Sequence, residues 1–105
     1  MANTVSFSKR YHGRPFLYWW DVWDGRKTAV AEAGELILVQ KDTRRRARIP
    51  ADVLLKHLTE QRRTSRGRNK GGKGNWGLYV RPGRPTHIEL SGGSAKPAMI
   101  EVVWE

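Results

Sequence analysis

Twelve of the chain's 20 Lys and Arg fall between Lys41 and Lys73, where only Asp42, Asp52 and Glu60 oppose them. That surplus of nine is nearly the whole net charge of +10, so the remaining residues are almost neutral. Charge this segregated is an electrostatic footprint, and the commonest polyanion in a cell is nucleic acid.

A chain of 105 residues is expected to form one domain, 1–105, with a lean core in which five Trp supply much of the buried area. There is no Cys, which excludes disulfides, thiolate metal sites and a cysteine nucleophile. His12, His57 and His87 show no HxH or HxxxH spacing, so neither a metal nor a cofactor is expected. No run approaches 18 apolar residues, and the N-terminal MANTVSFSKRYHGRP lacks an apolar stretch of signal-peptide length. The expectation is a cytoplasmic protein with no membrane partner.

Along the chain, alternation at Val5 and Phe7 suggests a short edge strand. Phe16–Trp23 (FLYWWDVW) is the strongest strand signal, because aromatic and β-branched residues suit a pleated surface. Phe16, Tyr18, Trp20 and Val22 share one face; Leu17, Trp19, Asp21 and Trp23 share the other. Asp24-Gly25 is a preferred type I′ turn pair, so Arg26–Ala33 is expected to return as a hairpin strand. The run KTAVAEAG also has the composition of two helical turns stopping at Gly34, but strand is the preferred reading.

Glu35–Gln40 (ELILVQ) suits a central strand, Lys41–Arg44 a tight turn, and Arg45–Ile49 a polar return strand with Arg44, Arg46 and Arg48 on one face. Pro50 and Asp52 open the main helix, placed at about 50–62, with Ala51, Leu54, Leu55 and Leu58 as its apolar stripe. Thr64–Asn75 (TSRGRNKGGKGN) has no apolar residue and is expected to be a flexible basic Gly-rich loop. Trp76–Arg81, Thr86–Leu90 and Pro97–Trp104 read as strands, and in the last of them Ala98, Ile100, Val102 and Trp104 share a face. The whole is an α+β fold: an antiparallel sheet of about five to six strands, open or closed into a small barrel, with one main helix.

The expected function is non-enzymatic binding of nucleic acid, DNA before RNA, by a regulatory or accessory factor. Arg44, Arg45, Arg46 and Arg48 in the hairpin offer guanidinium forks to phosphate oxygens. Lys56, Arg62 and Arg63 add charge from the helix, and Arg66, Arg68, Lys70 and Lys73 from the loop. Trp19, Trp23 and Trp76 are candidate stacking rings for unpaired bases, Trp76 first because it follows the loop directly. The rival partner is an acidic protein, on whose surface the same charge would dock. A Mg²⁺ nuclease needs converging carboxylates. Asp21, Glu35 and Glu89 could converge in a sheet, but their spacing gives no positive support, so no catalytic residue is expected.

Overall fold

The computed structural model describes residues 4–64, 74–93 and 95–105. They form an α+β fold of two sheets. Strands β1 (Val5–Ser8), β3 (Glu35–Gln40) and β4 (Arg46–Pro50) make a mixed sheet in the order β1-β3-β4. Strands β2 (Tyr18–Val22), β5 (Trp76–Val80), β6 (His87–Leu90) and β7 (Ala98–Glu101) make an antiparallel sheet in that order. A single sheet was expected, open or barrel-like; there are two, and no closed barrel. At β1 and β2, where the sheets approach, Trp19 N–H donates to Ser8 Oγ at 3.0 Å in place of a backbone ladder.

Arg26–Ala33 is not the hairpin strand the Asp24-Gly25 pair suggests. Asp24–Ala33 is a helix, α1, stopped by Gly34 at φ 89° with its N–H on Val30 O. The Ala and Glu residues favour helix locally, and the topology requires a long connection. β1 and β3 pair in parallel, Val5 beside Ile37 through Ser8 beside Gln40. Parallel neighbours need a crossover between them, and β2 with α1 supplies it.

The main helix is shorter than its apolar stripe implies. α2 spans Ala51–Leu55, and Glu60–Arg62 forms a separate 3₁₀ turn. Beyond Leu55 the bonds tighten to His57 N–H on Leu54 O and Leu58 N–H on Leu55 O. The carbonyls that a longer helix would occupy are taken by side chains. Arg62 Nη1 donates to His57 O, Lys27 Nζ to Leu58 O, and Trp76 Nε1 to Thr59 O. Tertiary donors thus replace helical ones while Leu54 and Leu58 stay buried.

The core lies between the sheets. From β2 the side chains of Tyr18, Trp20 and Val22, which alternation puts on one face, enter it to meet Leu36 and Leu38 of β3 and Ala47 and Ile49 of β4. Trp20 stacks on Tyr18 and on Trp104, each at 5.9 Å between ring centres. Every buried indole N–H finds a carbonyl: Trp20 on Val39 O, Trp76 on Thr59 O, Trp104 on Pro85 O. After β7 the chain crosses to the other sheet, where Glu105 exchanges backbone hydrogen bonds with Arg46 and covers part of the β4 edge.

On the outer face of the antiparallel sheet, Arg81 Nε and Nη2 both donate to Glu89 Oε2, at 2.9 and 2.7 Å. The guanidinium holds the Glu89 carboxyl below the usual carboxylate range. A lowered folded pKa means the pair stabilises in full above the ordinary carboxylate value of about 4.3 and is lost as pH falls through the lowered value. Urea titrations from neutral to acidic pH should show a loss of about 1–2 kcal/mol from this pair, and Glu89→Gln should remove that part of the acid dependence.

Candidate nucleic-acid interface

The β3–β4 hairpin turn is tightly built. Gln40 N–H donates to Arg45 O at 2.9 Å and Arg44 N–H to Gln40 O at 2.8 Å. Thr43 Oγ1 bonds Gln40 Oε1 at 2.6 Å and accepts from Arg45 N–H at 3.2 Å. Asp42 is exposed in the same turn and accepts the Tyr18 hydroxyl at 2.7 Å. Arg44 sits in left-handed backbone, φ 62°, the one described non-glycine residue to do so. That conformation costs an L-residue about 1–2 kcal/mol, a strain glycine would avoid.

Sheet register extends the hairpin across β3 to β1. Phe7 lies beside Val39, and Val39 beside Arg46, in one row on the outer face. Phe7 is 60% exposed. It lines, with Lys41, Arg44 and Arg46, a shallow cleft of about 330 Å³. None of these three cations has a carboxylate ion pair among the described residues. An exposed ring on an open sheet face, flanked by free cations, has the composition of a nucleic-acid-binding surface.

The other predicted contacts do not all join it. Arg45 is exposed but ties Nη2 to Trp104 O at 3.1 Å. Arg48 is neutralised by Glu35 at 2.7 Å. Lys56 is exposed after α2 and does not line the hairpin cleft. Arg62 spends its guanidinium on His57 O and Lys96 O. His57, held below its ordinary range by burial and by Arg62 and Lys56, adds no cation at neutral pH. Arg66, Arg68, Lys70 and Lys73, with most of the expected loop, lie outside the described residues.

Arg63 and Trp76 belong to the interior instead. Arg63 is 6% exposed, donating to Glu60, Asp24 and Gly74 O, with its guanidinium 4.1 Å from the Trp76 ring centre. Hydrogen bonds to Glu60 and then Asp24 raise its pKa further above the ordinary arginine value. Trp76 is 1% exposed and cannot serve as a stacking platform. The reason is register: pairing Val22 with Trp76 turns its ring to the core face.

Phe7 was missed because a single ring in a polar N-terminal stretch carries no signal of its own; only parallel pairing to β3 sets it beside Arg46. Lys41 belonged to the charge run, but its role at the cleft comes from the turn. The carboxylates of the nuclease reading do not meet. Glu35 pairs with Arg48, Glu89 with Arg81, and Asp21 accepts from Asn75 Nδ2 at 3.0 Å. Among the described residues, no three His, Asp or Glu gather as a metal-binding group. No family model, curated protein or solved structure matches this chain.

Proposed function

We propose that the protein is a small non-enzymatic nucleic-acid-binding factor, with a regulatory or accessory role and DNA as the preferred ligand. It grips phosphates through the β3–β4 hairpin. The observation that carries this reading is the contrast between cations: Arg48, Arg63 and Arg81 are ion-paired, while Lys41, Arg44 and Arg46 surround one cleft unpaired. Arg44 in strained left-handed backbone adds support, since strain of this kind gathers at functional sites.

Anisotropy titrations with labelled DNA should show log K falling against log salt with a slope near −3, from about three phosphate contacts. An Arg44→Gly/Arg46→Ala pair suits the test, because glycine fits the left-handed position and keeps the turn. The double variant should flatten the slope by about two, roughly one per lost phosphate contact, with little loss of stability. Binding that is indifferent to salt, or absent at low salt, would remove the proposal.

A second reading is docking on an acidic protein, favoured by the outer edge of β1. Among the described residues β1 pairs only with β3, through backbone groups of Thr4 and Ser8 among others, so the N–H and C=O of Val5 and Phe7 point away from that ladder. Such an edge can accept a partner strand. A partner retained after nuclease treatment, competed away by high salt, would favour it.

A further inference from the structure

The hairpin cleft is one of three that adjoin. A second, of about 400 Å³, opens where β1 and β2 separate and shares Phe7 and Lys41 with the first. A third, of about 330 Å³, shares Tyr11 and Trp19 with the second and extends to Phe16 and Tyr79. Each holds at least one ring and one cation: Phe7 with Arg44 and Arg46, Trp19 and Trp23 with Lys9 and Arg26, Phe16 and Tyr79 with Arg14. Shared lining residues make this a continuous surface running from one sheet to the other.

The Trp23, Phe16 and Tyr79 rings are held by packing contacts. Arg26, 8% exposed, stacks its guanidinium 4.3 Å from the centre of the Trp23 ring, which is itself 38% exposed. Tyr11 meets Phe16 edge-on at 5.1 Å, and Phe16 lies 5.3 Å from Tyr79. Arg26 gives Nη1 to Asp21 O at 3.2 Å, and its Nε has no partner among the described residues. Fixed aromatic faces beside cations attract planar groups joined by anionic linkers. An unpaired nucleotide chain offers both, whereas a duplex hides the faces of its bases.

The geometry points to a track for single-stranded nucleic acid: successive bases seat in the three clefts against Phe7, Trp19/Trp23 and Phe16/Tyr79, with Lys9, Lys41, Arg14, Arg44 and Arg46 neutralising the phosphates. This rests on the nucleic-acid reading above and narrows it to unpaired strands.

The test compares oligothymidine, oligouridine, a DNA duplex of equal length and poly-glutamate, each by anisotropy competition and by tryptophan emission. Single strands should bind about tenfold or more tightly than duplex at equal salt and should quench emission, since Trp19 and Trp23 line the track while Trp20, Trp76 and Trp104 are buried. Phe7→Ala and Trp23→Ala should each weaken single-strand binding about tenfold and weaken duplex binding by less, so that the preference for single strands falls. Phe7, at 60% exposure, keeps the test available if Trp23→Ala does not fold. The two oligonucleotides distinguish DNA from RNA, and preference for either supports the track. Equal binding of duplex with unchanged emission overturns the track while the hairpin grip stands. Quenching by poly-glutamate equal to that by oligonucleotide overturns it in favour of a peptide site, and failure to bind any nucleic acid overturns both readings.

Discussion

Trp76→Ala should lower the unfolding free energy by about 3–5 kcal/mol, the range for removing a fully buried aromatic side chain. In a domain whose total stability is on the order of 5–15 kcal/mol, that is enough to populate the unfolded state on mild warming. The ring is 1% exposed, is covered by the Arg63 guanidinium and by Lys27, and fixes Thr59 O through Nε1 at 2.7 Å. Thermal and urea melts followed by circular dichroism read the effect. Trp76→Phe separates its parts: the ring is largely kept and the indole donor lost, for a cost of about 1 kcal/mol. A stacking platform would behave oppositely, losing affinity for single strands with its melting temperature unchanged. That outcome would contradict the burial seen here.

Arg63→Ala should cost about 2–3 kcal/mol, judged from hydrogen bonds to charged groups and lost packing on the Trp76 face. Removing one partner of a wholly buried ion pair costs about 3–5 kcal/mol. The smaller figure follows because the Asp24 and Glu60 side chains, 60% and 70% exposed, return to water when Arg63 leaves. Lysine should not rescue the variant, since an ammonium cannot span Glu60, Asp24 and Gly74 O as the planar fork does. A cycle with Trp76→Ala should show coupling of about 0.5–3 kcal/mol, as expected for groups in contact. The salt slope of nucleic-acid binding should barely move with Arg63→Ala, whereas Arg46→Ala should flatten it by about one. A loss of slope on removing Arg63 would return it to the binding surface.

These two residues show how charge in sequence differs from charge in space. Arg62 and Arg63 are adjacent in a basic run and read alike, yet one serves backbone carbonyls and the other two carboxylates. Arg48 shares its strand face with Arg46 and was grouped with it correctly, but the register sets Glu35 within 2.7 Å and neutralises it. Counting cations along the chain cannot register partners that arrive from 13 or 39 residues away. Helix α1 was misread for a related reason. Asp24-Gly25 is a good local turn, and the parallel pairing of β1 with β3, which demands a crossover, is a long-range fact.

Local patterning alone determined that Tyr18, Trp20 and Val22 share one face of β2, that Glu35–Gln40 is a central strand, and that Arg46 lies opposite Ala47 and Ile49. These follow from a two-residue period and side-chain polarity, which any short strand must obey. Tertiary structure decided where α2 stops, which arginines are neutralised, and that Phe7, Lys41, Arg44 and Arg46 share a cleft. Those outcomes depend on which segments pair across the fold, and pairing is a competition for partners that no local window contains.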